Sequence, residues 1–342
     1  MMKKDLRIGV IYGGRSAEHD VSMRSAETII RVLETGGYHP VPIAITRSGN
    51  WLPDISPDAL RQSAVSRQRQ GMTWVADFMA WADTRAIDVA FPALHGPFGE
   101  DGTIQALLEY AHIPYVGSGV LGSALGMQKV MAKQLAASAG IPVVPWLVTT
   151  HQDIEQREEE ILREIKDQLS FPLFVKPVSQ GSSFGVSRVD HAAQLQAALQ
   201  LASTYDHQIL IERAIPCREL ECGVMGNAEP EISVVGEVTH QQPFFDFRAK
   251  YEQAMMQFTT PAPIDETVST TIRTHSAQIF RALGLRGLAR VDFFLDGQTE
   301  EIYFNEVNTM PGFTDLSTFP QLWAASGRSF LQVCEQLIEL AL

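Results

Sequence analysis

The sequence predicts an α/β fold, α+β in its later parts, made of three units and led by a parallel sheet. Three observations carry this. Short β-rich runs alternate with helical patterns through the first third of the chain, the rhythm of parallel strands covered by helices. From Leu173, two β-like runs joined by Pro177 to Phe184, then a helix and a further strand, read instead as a compact α+β unit. The length of 342 residues, at roughly 150 per domain, gives room for two to three domains. The boundaries are expected at the glycine turn near Gly119 and after the strand ending beside Arg213, which gives units 1–119, 120–213 and 214–342.

Arg7 to Tyr12 reads as the first strand and Ser22 to Thr35 as a helix that stops at Gly36-Gly37. Val41 to Thr46 and Ile87 to Leu94 are the next strands, with Ser63 to Gly71 a polar connection between them. Thr103 to Ala111 is a helix and Ile113 to Val116 a short strand; the turn Gly117 to Gly122 then opens a helix over Ser123 to Ala139. Glu155 to Asp167 is a solvated helix, with Glu159 four residues before Arg163 and Thr150 placed with Asp153 to cap it. Strands at Leu173 to Lys176, Gly185 to Val189 and Gln208 to Glu212, with a helix at Ala192 to Leu201, complete the middle unit. The last unit has strands at Leu220 to Met225, Ile232 to Val238, Leu288 to Leu295 and Glu301 to Val307, and helices at Glu266 to Leu283 and Ser329 to Leu340. Gln241 to Ile264 has no clear period, and so long a connection in a compact domain is expected to be a lid or binding loop.

Charge and composition exclude several partners. The net charge of −13, with no cluster of Lys and Arg, lacks the footprint of a protein that binds nucleic acid or an anionic membrane. Apolar runs fall well short of the roughly 18 residues that span a bilayer. Lys3, Lys4, Asp5 and Arg7 precede only the short run Ile8 to Tyr12, with no cleavable small-residue site after it, so the chain is expected to be cytoplasmic. Cys217, Cys222 and Cys334 lack CxxC spacing and support neither a disulfide framework nor a zinc site. Cys334 shares an apolar helix face with Phe330, Val333, Leu337 and Ile338, where it packs as a small hydrophobe.

Two motifs are decoys. Gly117 to Gly122 fits GxGxxG, but no acidic residue stands about 20 positions on to hold a ribose. Gly181 to Gly185 fits GxSxG, but a nucleophile elbow turns from strand into helix, and Val186 to Val189 reads as another strand. That segment is better read as a hairpin tip. Its Ser179, Gly181, Ser182, Ser183 and Gly185, after Lys176, suit a phosphate cradle built from backbone N–H groups, or else a merely flexible turn. The C-terminal hairpin is sharper. Glu306 and Asn308 point to one face of a strand and Asp292 can meet them across the ladder, three oxygen ligands suited to a hard cation such as Mg²⁺. The competing reading is a solvated face with Arg290 paired to Glu306. The glycine loop Thr309 to Thr314 that follows favours the metal, because such loops bring backbone donors to a ligand.

These segments together resemble the D-alanine:D-alanine ligases of the ATP-grasp superfamily over nearly the whole chain. The landmarks stand in family order: Gly13 to Glu18, His95 to Gly102, Tyr115 to Gly119, Lys176-Pro177 with Gly181 to Ser183, Ala249-Lys250-Tyr251, Arg290 to Asp292, and Asn305 to Ser317. The resemblance implies an ATP-grasp architecture with a Rossmann-like N-terminal domain. It also implies a reaction in which ATP phosphorylates one D-alanine and the amine of a second attacks the acyl phosphate, for peptidoglycan precursor synthesis. Carried over to this sequence, it makes Lys129, Lys176 and Lys250 phosphate-binding cations beside Ser183. It puts Glu212, Glu219, Ala214 and Ile215 around adenine and ribose, and Asp292, Glu306 and Asn308 on Mg²⁺, two ions for which Mn²⁺ can substitute. Glu18 would hold the first ammonium with Ser182, Tyr251 and His95 near it. Arg290 and the Gly312 N–H would meet the oxyanion, and Ser317 the second carboxylate. The same resemblance implies a homodimer.

Departures are few. Gln128 stands where family members often have Asp, Glu212-Arg213-Ala214 lacks the aromatic of some members, and Glu252 to Gln257 is Met-rich. The rivals are the same chemistry with D-lactate or D-serine as second substrate, against which Lys250-Tyr251 argues, and a nucleotide-binding regulator without catalysis, against which the full set of lysines, Arg290 and metal ligands argues.

Overall fold

The computed structural model describes residues 5–62, 78, 87–240 and 256–342. The sequence expectation of Ser63 to Gly71 as a connection therefore lies outside the described residues, as do Lys250 and Tyr251.

Three sheets organise the described residues. The first has the order β3-β2-β1-β4, where β1 is Arg7–Gly13, β2 His39–Ile45, β3 Trp51–Pro53 and β4 Val89–Ala93. β1 runs parallel to both β2 and β4, as the alternating rhythm requires, and only the edge strand β3 is antiparallel. β3 and the short helix α2, Pro57–Gln62, carry no period long enough to read in the sequence. Ile113 to Val116 contributes one bridge, Ala90 to Tyr115, rather than a full strand. Helix α1, His19–Thr35, covers this sheet, and α3, Thr103–Tyr110, follows β4.

The middle sheet is antiparallel with the order β5-β8-β6-β7: β5 is Trp146–Thr150, β6 Leu173–Pro177, β7 Ser187–Val189 and β8 Gln208–Arg213. Helix α6, His151–Gln168, begins where expected, since Thr150 Oγ1 accepts from the Asp153 N–H at 3.0 Å. Helix α7, Leu195–Ser203, covers the same sheet. The third sheet, β11-β10-β9-β12-β13, is also antiparallel, with β9 Cys217–Gly226, β10 Glu231–His240, β11 Met256–Thr259, β12 Gly287–Asp296 and β13 Ile302–Asn308. Of the connection expected over Gln241 to Ile264, residues 241–255 lie outside the described residues, and Met256–Thr259 pair as β11 with the end of β10.

The helix expected over Ser123 to Ala139 is two, α4 (Val120–Met127) and α5 (Lys129–Ser138), broken at Gln128, whose ψ of 90° is extended. The break places Lys129 at the first turn of α5, with its N–H on the Val178 carbonyl at 3.4 Å. Ala132 and Ala136 of α5 join the core of the third sheet under α8, Glu266–Ala282. The C-terminal helices α9 (Thr318–Ala325) and α10 (Phe330–Ala341) belong to a different core, in which Phe319, Trp323, Val333, Leu337 and Ile338 join Met225 and Leu288 of the third sheet to Ile8, Val10, Phe91 and the inner face of α1. Cys334 is fully enclosed in that core, as its apolar face predicts. Among the described residues no helix is long and apolar enough to cross a membrane.

The GxGxxG segment serves packing. A Cβ on Gly122 would stand 2.9 Å from the Gly284 carbonyl oxygen, and one on Gly287 2.9 Å from the Gly117 nitrogen. These glycines let two backbones touch, which leaves no room there for a pyrophosphate.

Candidate active site

The hairpin between β6 and β7 holds Ser182, Ser183 and Gly185 in the left-handed region, φ 50°, 58° and 70°. Two successive non-glycine residues there cost of order 1–3 kcal/mol each and persist where the surroundings enforce them. A Cβ on Gly185 would meet the Tyr205 ring at 2.7 Å and Pro177 at 2.8 Å, so that position needs glycine. The chain then runs straight into β7, which makes the GxSxG match a turn tip and no elbow. Lys129 reaches this hairpin from α5: its Nζ donates to the Gln180 carbonyl at 2.7 Å and lies 3.3 Å from Glu306 Oε2.

Beneath the hairpin, Glu212 of β8 is 3% exposed and lies between two lysines. Lys133 Nζ is 2.5 Å from its Oε1, and Lys176 pairs with its Oε2. Burial opposes the carboxylate charge, but the two ammonium groups outweigh it and hold the carboxyl at about 2. Burial also works against Lys176, whose pairing with Glu212 nevertheless keeps its value raised. Lys133, fully enclosed, is the cation pushed down, by burial first and with the Lys176 charge adding to it. The Glu212 side chain is thus engaged by both lysines.

The floor of the cleft is the β12–β13 ladder. Asp292 stands opposite Glu306 and Arg290 opposite Asn308, and all four face one side, as two-residue spacing dictates. Arg290 does not pair with Glu306. Its guanidinium forks onto Asp292, Nε to Oδ1 at 2.8 Å and Nη2 to Oδ2 at 2.7 Å, and Nε lies 3.3 Å from Glu221 Oε2 on β9. Asn308 Nδ2 donates to Asp292 Oδ2 at 2.9 Å. Burial raises the Asp292 carboxyl, and Glu221 and Glu306 add to that, beyond what the Arg290 charge offsets. Arg290 and the Lys129 ammonium face three carboxylates here, Asp292, Glu221 and Glu306, and the oxygens of Asp292, Glu306 and Asn308 are a donor set of the kind that fits a hard cation.

The opposite wall comes from helix α1, through Val21, Arg24 and Thr28, and from the loop after β13. Ser182 Oγ donates to Glu18 Oε1. A Cβ on Gly181 would stand 3.1 Å from Glu18 Oε2, so this carboxylate lies against the hairpin backbone. His95 is 5% exposed and not in the cleft lining: Nδ1 meets the Met310 carbonyl at 3.0 Å with Glu100 Oε1 at 3.8 Å, and Nε2 lies 3.0 Å from Ser25 Oγ. Ser317 Oγ accepts from the Thr314 N–H at 2.9 Å, and a Cβ on Gly312 would come within 2.8 Å of it. Ser317 is also the N-cap residue of α9, whose first-turn N–H groups and dipole favour an anion.

Lys129, Lys176, Ser182, Ser183, Glu212, Ala214, Ile215, Glu219, Arg290, Asp292, Glu306, Gly312 and Ser317 line one cleft of about 1010 Å³. The model of the "D-ala D-ala ligase N-terminus" matches residues 7–118 and that of the "D-ala D-ala ligase C-terminus" residues 135–339. The chain belongs to the D-alanine–D-alanine ligase family. Among its relatives, the D-alanine–D-alanine ligase of Deinococcus radiodurans is 44% identical, covering 98% of both chains. That of Natranaerobius thermophilus is 41% identical, over 99% of this chain and 95% of the relative. Of solved structures, the VanG D-Ala:D-Ser ligase from Enterococcus faecalis superposes with a TM-score of 0.84 at 34% identity, covering 99% and 100% of the two chains. The Coxiella burnetii D-alanine–D-alanine ligase gives 0.80 at 31%, over 99% and 94%.

Three residues of this ligase escape a reading by motif. Lys133 stands four residues after Lys129, one helical turn along the same face, and that spacing is the only signal it leaves. Glu221 follows Glu219 by two on β9, a strand alternation that puts both toward the cleft. Ser25 leaves a subtler mark, a hydroxyl on the apolar face of α1 between Met23, Ala26 and Ile29.

Proposed function

We propose that this ligase joins two D-alanines into D-alanyl-D-alanine for peptidoglycan precursors, through a D-alanyl phosphate, with ATP cleaved to ADP and phosphate. The observation that carries the reading is that the phosphate-type hairpin with its lysines and the carboxylates Asp292 and Glu306 line one cleft, with Ser182 of that lining donating to Glu18. Transfer of a phosphoryl group to a carboxylate gathers negative charge, and a cleft stocked with cations offsets it. Lys129 and Lys176, with Lys250, hold the phosphates, and Ser183 presents its backbone to them. Ala214, Ile215 and Glu219 border the nucleoside, with Glu212 acting through the lysines it orders. Asp292, Glu306 and Asn308 are the oxygens that would hold Mg²⁺, or Mn²⁺ in its place, which when bound supplies positive charge to the phosphate oxygens.

Glu18 receives the ammonium of the first D-alanine, with Ser182 and Tyr251 as its neighbours. Arg290 and the Gly312 N–H stabilise the oxyanion that forms when the second amine attacks the acyl carbon. Ser317, at the positive end of α9, takes the second carboxylate. The units 1–119, 120–213 and 214–342 correspond in this reading to the three sheets, and the reaction takes place in the cytoplasm. The deciding assay measures phosphate release from ATP with D-alanine, L-alanine, D-serine and D-lactate, and identifies each product. D-Alanyl-D-alanine as the dominant product is expected. Efficient D-alanyl-D-serine synthesis would instead align the second subsite with that of the Enterococcus faecalis structure.

A further inference from the structure

We propose that Ser25 and His95 form a clamp that grips the loop Met310–Phe313 at both ends and thereby sets where the Gly312 N–H points. Ser25 is fully buried on α1, and its Oγ accepts from the Phe313 N–H at 3.3 Å. The same oxygen lies 3.0 Å from His95 Nε2, and His95 Nδ1 lies 3.0 Å from the Met310 carbonyl oxygen. A carbonyl has no proton to give, so Nδ1 carries the hydrogen in that bond. The result is a closed ring: the Met310 carbonyl, the imidazole, the serine hydroxyl, the Phe313 N–H, and back through Gly312 and Pro311. Gly312 lies between the two anchored ends, and Pro311 before it has a fixed φ and no N–H of its own.

The clamp is anchored in turn. One turn earlier on α1, Ser22 Oγ accepts from the Gly13 N–H at 2.7 Å and donates to the Ala93 carbonyl, tying the helix to the ends of β1 and β4. On the other side the His95 carbonyl accepts from Ser16 Oγ at 2.6 Å. Buried hydroxyls on an apolar helix face are retained only where they are hydrogen-bonded, and Ser22 and Ser25 both are. Neither Ser25 nor His95 lines the cleft, so both act through the loop: they are positioning residues. This rests on the reading that the Gly312 N–H meets the oxyanion. An oxyanion donor works only when preorganised, and a misplacement near 1 Å can cost about 10²-fold in rate.

The test compares the full-length unmodified chain with Ser25→Ala. The expected result is a kcat for dipeptide synthesis lower by about 10- to 100-fold, with KM for ATP within about twofold. Affinity for a phosphinate mimic of the tetrahedral intermediate should fall by a similar factor, which a loss of folded protein alone would not produce. In the imidazole nitrogen NMR spectrum, with His95 assigned by its absence from His95→Gln, Nδ1 should be protonated in the unmodified chain and the Nε2 resonance should move in Ser25→Ala. An unprotonated Nδ1, or a Ser25→Ala chain with unchanged kcat and mimic affinity, overturns the clamp. If Ser25→Ala does not fold, Ser25→Cys, which keeps the size and replaces the hydroxyl by a weaker acceptor, takes its place in the same kcat and mimic-affinity measurements. If the unmodified chain makes no dipeptide, the ligase reading fails while the spectrum continues to test the clamp.

Discussion

Replacing Glu212 by glutamine keeps the shape of the side chain and removes the charge that two buried lysines share. A fall of the carboxyl from an ordinary 4.5 to about 2 corresponds to roughly 3 kcal/mol of preference for the charged form in the folded chain. Breaking a buried ion pair by deleting one partner typically costs about 3–5 kcal/mol, so two independent routes give the same size. The sign follows from the lowered value. The contribution is complete above the unfolded carboxyl's pKa and is lost as pH falls from there toward 2. Glu212→Gln should therefore be less stable by roughly 3 kcal/mol at neutral pH, and the gap should close as the solution is acidified below about pH 4.5. Urea unfolding followed by tryptophan fluorescence measures this, because Trp146 stands opposite Glu212 in the β5–β8 ladder. A neutral-pH difference under about 1 kcal/mol, the worth of an exposed ion pair, would refute the argument, as would a gap that ignores pH.

Three further outcomes are expected. Arg290→Lys keeps a charge but cannot fork onto both Asp292 oxygens, so kcat for dipeptide synthesis should drop by about 10²-fold or more, and a variant within threefold of the unmodified enzyme would make Arg290 a structural ion pair. Glu306→Gln should need far more Mg²⁺ and turn over orders of magnitude more slowly with the fold intact by circular dichroism; normal activity across a Mg²⁺ titration would remove it from the metal site. Gly312→Ala would bring a Cβ to 2.8 Å from Ser317 Oγ, so KM for the second D-alanine should rise more than KM for ATP, and equal effects on both would separate Ser317 from the second subsite.

Much of the site was legible in the sequence because its residues alternate along short strands: Arg290 with Asp292, and Glu306 with Asn308, had to share a face once a hairpin was inferred. The parallel order of β1, β2 and β4 followed from the alternation of strand and helix. What stayed hidden has physical causes. The break at Gln128 involves neither glycine nor proline, so nothing in the local sequence marks it. Helix α9 has eight residues and carries Pro320 in its first turn, where proline is tolerated but reads as a breaker. β11 is only four residues long and gains its identity from the β10 edge it joins. Lys133 and Ser25 occupy ordinary helical positions, and their importance comes from what tertiary packing brings to them.

The core shared by the first sheet and the last two helices bears on how the chain is made. Ribosomal synthesis delivers α1 and β1 long before α9 and α10, yet Ile8, Val10 and Phe91 bury themselves against Trp323, Leu337 and Ile338, and Tyr38 Oη donates to Glu335 Oε1 at 2.5 Å across the same seam. The middle sheet has a core of its own and can close as soon as it emerges. The N-terminal sheet closes one core within residues 11–115, but its other core must wait for the last two helices, and long-range contacts of this kind slow folding and invite association with chaperones. The same seam underlies the loop that bears Gly312, since Phe313 packs in it against Phe91 with ring centroids 5.5 Å apart. The packing around the Gly312 loop is therefore complete only once the final helices dock.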